Sequence, residues 1–271
     1  MTAPVDARSS STPLKVAMRK LLVRRQHLGL PVVLAAFAAC TAFEPAAATG
    51  TLGCGPFAHD PLPAASPSPY PSALERAKRI NQAVRSTHHS LLFFGDSLTE
   101  GWDGAVWEGS LAARGALNAG VSGDRTENLL WRLQNGNLAG PPPNAAVLLI
   151  GTNDLAAGRS PELAADGIRA VLDALRQHFP DTRILLLGLL PREEDVSAPL
   201  RTATTRVNRL IRECADGEHI VYADIGDVLL DNRGRLTSAI APDGLHFTAN
   251  GYELLASRLN PELDRLLSPA R

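Results

Sequence analysis

Cysteine is scarce in this chain of 271 residues: three occur, at positions 40, 54 and 214. That number implies no disulfide framework. Charge of one sign is missing too, since 27 Lys and Arg stand against 28 Asp and Glu for a net charge of −1. A nearly neutral chain argues against a nucleic-acid surface. Long hydrophobic runs are few, which excludes a polytopic membrane protein, and there is no internal repeat. The histidines His27, His59, His88, His89, His178 and His219 are scattered without a carboxylate or cysteine cluster at metal-ligand spacing. For these six, surface or structural roles are the expectation, and no metal is implied.

What charge asymmetry exists lies at the start. Residues 1–48 carry six basic residues (Arg8, Lys15, Arg19, Lys20, Arg24, Arg25) against Asp6 and Glu44; the resulting +4 leaves −5 for the rest of the chain. The basic stretch precedes an apolar segment from Leu28 to Phe43 and then Ala46-Ala47-Ala48. This order is that of a secretory signal peptide. The competing reading is an N-terminal membrane anchor, but the segment is shorter than the roughly 20 residues of a spanning helix. Arg24-Arg25 permits twin-arginine export or serves as the ordinary charged region. Cys40, after Phe37-Ala38-Ala39, partly resembles a lipoprotein processing site, so an uncleaved or lipidated N-terminus would associate the protein with a membrane. Cleavage after Ala48 would leave Cys54 and Cys214, which an oxidising compartment could join. Residues 49–71, with Pro61-Leu62-Pro63 and Ser66-Pro67-Ser68-Pro69-Tyr70-Pro71, read as a Pro/Ser-rich linker. The expected division is an export signal over 1–48, a linker over 49–71 and one domain over 72–271.

Within that domain the pattern alternates. A helix is expected from Ser72 to Arg85, then strands at Leu91 to Phe94, Ala116 to Ala119, Ala145 to Ile150, Arg183 to Leu189 and His219 to Ala223. Helical stretches separate them, near Glu127 to Gln134, Pro161 to His178 and Arg201 to Cys214, and a last helix runs from about Asn250 to Leu267. Short apolar strands interleaved with helices imply an α/β fold whose parallel sheet is covered on both faces. Ligands in such sheets bind beyond the carboxyl ends of the strands.

Four motifs fall at those ends or in the loop before the last helix. Gly95-Asp96-Ser97-Leu98 follows the first strand, so Ser97 stands at a strand-to-helix turn where a nucleophile can be presented. Asn118-Ala119-Gly120-Val121-Ser122-Gly123-Asp124 follows the second, and Gly151-Thr152-Asn153-Asp154 the third. Both supply donors of the kind that stabilise an oxyanion. Asp243-Gly244-Leu245-His246 supplies an acid and a base three residues apart. Each motif alone is ordinary turn or capping chemistry.

Taken together, the four resemble the SGNH hydrolases, also called the GDSL esterase/lipase family, over almost all of residues 72–271. The family's four letters match Ser97, Gly123, Asn153 and His246, and its acid falls on Asp243. Gly123 is preferred to Gly120 because the family's oxyanion glycine precedes the aspartate of its block. The stretch from Gly120 to Leu133 looks most like the branch that includes the platelet-activating-factor acetylhydrolase catalytic subunits. The resemblance implies a three-layer α/β/α sandwich with a five-stranded parallel sheet of flavodoxin-like order 2-1-3-4-5, and a serine esterase that needs no cofactor or metal. It implies a triad of Ser97, Asp243 and His246, with an oxyanion hole from the N–H groups of Ser97 and Gly123 and the side chain of Asn153. It leaves the substrate open among lipids, acetylated sugars, thioesters and peptides. The α/β-hydrolase alternative fails because its nucleophile motif is Gly-x-Ser-x-Gly, and Thr99 stands two residues after Ser97. A non-catalytic lipid- or glycan-binding module on the same fold is the alternative of a different class.

Asp96 and Asp154 are expected in turns and hydrogen-bond networks, Arg125 and Arg132 in solvated or salt-bridged roles. Trp102, Trp107 and Trp131 suit either packing or an entrance to the site.

Overall fold

The computed structural model describes residues 52–268; the expected export signal, with Cys40, lies outside the described residues. Five runs rich in Leu, Ile, Val and Ala form the strands β1 (Leu91–Gly95), β2 (Ala116–Gly120), β3 (Ala145–Leu149), β4 (Arg183–Leu187) and β5 (Ile220–Ala223). All pairings are parallel, in the order β2-β1-β3-β4-β5. Every residue of β1 and β3 is buried, as continuous apolar strands require when helices cover both faces.

The first helix, α1 (Pro71–Ser86), leads into β1. The β1 to β2 connection carries α2 (Ser97–Glu100) and α3 (Gly104–Ser110). The later crossovers carry α4 (Thr126–Arg132), α5 (Thr152–Ala156), α6 (Pro161–His178) and α7 (Pro199–Ile211), and α8 (Ala249–Leu267) closes the domain. Right-handed crossovers that run one way from β1 to β2 and the other way from β2 onward put their helices on opposite faces. The reversal lies between β1 and β3, which is the switch point where such sheets open a crevice.

α8 packs against α3, and their shared layer holds Trp102, just before α3, and Trp107 within it. Trp107 meets Phe93 edge-on at 5.2 Å, and Trp102 lies 5.0 Å from Tyr252. Packing, rather than an entrance, is the role of these two. The Tyr252 hydroxyl donates to the Leu98 carbonyl at 3.1 Å, so the C-terminal helix is tied directly to the turn that carries Ser97.

The Pro/Ser-rich segment departs from its expected role as a tether. Cys54 is disulfide-bonded to Cys214, with Cα atoms 4.8 Å apart. The N–H groups of Phe57 and Ala58 donate to the Asp166 carboxylate at 3.0 and 2.7 Å. Further on, the Ser66 N–H reaches the Glu127 carbonyl, and Asn128 Nδ2 donates to the Ser66 carbonyl at 3.1 Å. Proline keeps the segment extended, and side chains from the domain supply the partners that an extended backbone cannot find within itself.

Below the carboxyl ends of β1 and β2 lies a buried charge. Arg132 is 2% exposed and uses its whole guanidinium: Nε to Asp124 at 2.6 Å, one terminal nitrogen to Asn137 at 2.7 Å and the other to the Gly95 carbonyl at 2.9 Å. Removing one partner of such a pair strands the other in a low dielectric. Arg132→Ala is therefore expected to cost about 3–5 kcal/mol of stability in urea unfolding. A loss below about 1 kcal/mol would show that the ion pair does not organise this end of the sheet.

Candidate active site

Ser97 is the first residue of α2, and its position follows from the break in β1. A Cβ on Gly95 would collide with Thr99 and with the Leu149 carbonyl, so glycine is what lets α2 fold back across the strand ends. Asp96 caps the turn, accepting the Leu98 N–H at 2.9 Å. Ser97 is left half-buried at the surface of the crevice.

His246 reaches it from the loop before α8. Asp243 builds that loop around itself: one carboxylate oxygen accepts the N–H groups of Leu245 and His246 at 2.9 and 2.7 Å, and the other faces His246 Nδ1 at 2.7 Å. His246 Nε2 lies 3.0 Å from Ser97 Oγ. With the Nδ1 proton committed to Asp243, Nε2 is the acceptor and the serine hydroxyl the donor. The bond from His246 holds the Asp243 carboxyl down at about 2; burial opposes it, and the two backbone donors reinforce it. Asp243 is thus an anion at neutral pH.

The oxyanion side is assembled from the ends of β2 and β3. Gly123 adopts φ +81°, a left-handed conformation that favours glycine. Its neighbours are pinned on both sides. Ser122 gives its N–H and its hydroxyl to Glu100, both at 2.7 Å, while Asp124 is held by Arg132. Asn153, on α5, donates one amide hydrogen to the Asp124 carbonyl at 2.9 Å, and its second amide hydrogen remains available to another acceptor. Among the described residues, neither the Ser97 nor the Gly123 N–H meets a protein acceptor. The ends of β1, β2 and β3 thus each carry a donor without a protein acceptor, the kind of group that an oxyanion needs.

Buried acids hold α4 and α5 together behind these donors. Asp154 accepts from the Thr126 N–H at 3.0 Å, from the Thr126 hydroxyl at 2.7 Å and from Arg159 at 2.6 Å. Arg159 also grips both oxygens of Glu127, and Arg125 pairs with Glu127 at 3.1 Å. Asp96 and Asp154 have the network roles expected of them, and Arg125 and Arg132 are salt-bridged. The sequence held no sign of the loop after β4. There Glu193, with φ +62°, donates its N–H to the Gly244 carbonyl at 2.6 Å, and Arg201 binds the carbonyls of Glu193 and Gly234 at 2.9 and 2.7 Å. These contacts brace the loop of Asp243 and His246 from behind, and their partners are backbone atoms that carry no residue signature.

A serine, a histidine and an acid in hydrogen-bonded series, at the switch point of a parallel α/β sheet, have the arrangement of a serine hydrolase site. The chain belongs to the GDSL-like Lipase/Acylhydrolase family, whose model matches residues 93–254. It is similar to the human platelet-activating factor acetylhydrolase IB subunit alpha1, with 35% identity over 182 residues covering 66% of this chain and 77% of that protein. The rat alpha2 subunit is 32% identical over 179 residues, 65% of this chain and 77% of its own length. Among solved structures, a GDSL-like lipase from Bacteroides thetaiotaomicron has the same fold with a TM-score of 0.60 at 20% identity, covering 70% of this chain and 97% of that one. Axe2, an acetylxylan esterase from Geobacillus stearothermophilus, gives 0.53 at 18% identity, with 69% and 99% covered. The protein is a carboxylic ester hydrolase, which sets aside the binding-module alternative.

Asp96 titrates differently from Asp243. Burial pushes its carboxyl up to about 7; the Leu98 N–H opposes this, and the charges of Asp124 and Asp154 add to it. An acid with a raised folded pKa holds its proton in the folded state after the unfolded chain has released it, so stability falls as pH rises from about 4 to about 7. Asp96→Asn keeps an acceptor for Leu98 and removes the titration. Relative to the parent, the variant is expected to gain about 2–4 kcal/mol across that window in urea titrations. Parallel stability profiles for the two proteins would contradict the assignment.

Proposed function

We propose that the protein is an exported serine esterase that cleaves short acyl or acetyl esters of lipids or carbohydrates through an acyl-enzyme on Ser97. The observation that carries this reading is the series Ser97 Oγ, His246 Nε2, His246 Nδ1 and Asp243, with separations of 3.0 and 2.7 Å. His246 takes the hydroxyl proton as Ser97 Oγ attacks the ester carbonyl, and Asp243 stabilises the imidazolium. The oxyanion of the tetrahedral intermediate is held by the N–H groups of Ser97 and Gly123 and the Asn153 amide. His246 then protonates the departing alcohol oxygen as its bond to carbon breaks. In the second half, His246 removes a proton from water, the resulting hydroxide attacks the acyl carbon, and the acid leaves as Ser97 regains its proton.

His246 and Asp243 are about half exposed, so an ester on a bulky carrier can approach from solvent. The relatives' names point the same way, one to an acetylhydrolase of platelet-activating factor and one to an acetylxylan esterase. Export is supported by the basic and apolar order of residues 1–48 and by the Cys54–Cys214 bond, which suits an oxidising compartment.

Ser97 is expected to label with a fluorophosphonate and the protein to hydrolyse p-nitrophenyl acetate; an unlabelled, folded protein would defeat the assignment of the nucleophile. Asn153→Ala should lower kcat by about 100- to 1000-fold with little change in KM, because its amide acts on the transition state rather than on bound ester. Near-parental kcat in the folded variant would return Asn153 to the role of a turn residue. For export, N-terminal sequencing of the protein from its native host should find a chain that begins after the apolar segment, and intact Met1 in the cytosol would count against it.

A further inference from the structure

The segment before α1 ends at the active site. Tied by Cys54, by Asp166 and by Ser66, it delivers Tyr70, whose carbonyl accepts the N–H groups of Ala73 and Leu74 at the start of α1. α1 is itself fastened to the oxyanion side: Arg76 donates to the Gly120 carbonyl at 3.1 Å and pairs with Glu100, the residue that holds Ser122. The Tyr70 ring is consequently fixed against Gly123. A Cβ added at Gly123 would stand 3.3 and 3.5 Å from two ring carbons. The ring still has an open side, since Tyr70 is 57% exposed, and Val196 is the other large apolar residue so exposed among the described residues. An exposed aromatic ring braced at its base and laid on the oxyanion glycine has no packing role to explain its exposure.

We infer that Tyr70 is a specificity-determining residue that forms the acyl-side wall of the substrate cleft. This rests on the serine-esterase reading above. The leaving oxygen must lie beneath His246 Nε2 to receive its proton, and the His246 loop is braced by Glu193, just past β4. Gly123 follows β2, at the other side of Ser97, with β1 and β3 between β2 and β4 in the sheet. With the leaving group directed toward β4 and the oxyanion turned inward to its donors, the acyl group takes the remaining direction, outward past the Gly123 loop, where the open side of Tyr70 meets it. Apolar contact with the first few methylenes then favours a slightly longer acyl group over acetyl.

The test compares the full chain with Tyr70→Ala and Tyr70→Phe on p-nitrophenyl acetate, propionate and butyrate, which share one leaving group, and on a series of acetate esters that differ only in the alcohol. Tyr70→Ala is expected to lower the butyrate-to-acetate ratio of kcat/KM by about 4-fold, roughly half the effect of burying two methylenes fully, and to leave the alcohol series in its parental order. Tyr70→Phe should keep the parental ratio. An unchanged or raised butyrate-to-acetate ratio in Tyr70→Ala, or an effect confined to the alcohol series, would overturn the inference. Fluorophosphonate labelling of the parent separates the two levels. A parent that labels at Ser97 while its Tyr70→Ala variant keeps the acyl ladder overturns the role of Tyr70 only, and a parent that does not label overturns the esterase mechanism and this inference together.

Discussion

The ion pair between Arg132 and Asp124 is the constraint on which the oxyanion side of the site depends. A single guanidinium joins the end of β1, through the Gly95 carbonyl, to the residue that follows Gly123. Its planar fork suits this task, because three acceptors in different directions can be met by one rigid group. Burial opposes both charges, pushing the Asp124 carboxyl up while Arg132 pulls it back. The pair is tolerable only because each polar edge is used. What it secures is relative position. Ser97 and Gly123 lie on different crossovers, and their N–H groups can share one oxyanion only if the two strand ends are held in register.

Asn153 is brought in by the same means from the third strand. Its amide leans on the Asp124 carbonyl, and the helix that carries it is fastened through Asp154 to Thr126 on α4. The Arg132 pair and the Asp154 cluster therefore meet at the ends of α4. The proposed donors are half-buried and are held from beneath by buried, hydrogen-bonded side chains, which favours preorganisation over adjustment at the moment of reaction. The general base is held differently. Asp243 and His246 are exposed, and their loop is fixed by bonds to backbone, from Asp243 itself and from Glu193.

The five strands, their order and the series Ser97, His246 and Asp243 were legible from the sequence for different reasons. The strands are apolar runs broken by glycine or polar turns, a local signal that the buried sheet makes strong. The order followed from the resemblance, and so did the grouping of Ser97, Gly123, Asn153, Asp243 and His246. The residues that hold them were less visible. Arg132 looks like any helix arginine, and nothing local says that its partners are Asp124 eight residues back and a carbonyl thirty-seven back. Glu193 acts through its N–H, so its side chain is uninformative. The segment from Cys54 to Tyr70 was read as a tether because proline and serine cannot build a core, yet it is secured by Asp166, Glu127, Asn128 and Cys214, all of them distant in sequence.

That last mismatch bears on how one fold takes many esters. The block that holds the oxyanion answers to the chemistry of the carbonyl, which is the same in every ester, and it lies within residues 93–254 matched by the family model. Substrate differences lie further out, in the acyl and alcohol groups, and must be met by whatever side chains border the block. The proposed acyl-side border comes from outside that region, on a proline-rich segment covalently joined to Cys214. Beyond Cys54 and Phe57 such a segment contributes few side chains to the core, so its other residues can change without disturbing the buried charges beneath Gly123. A rigid site rimmed by an independently anchored strap can thus vary in specificity while its transition-state geometry stays constant.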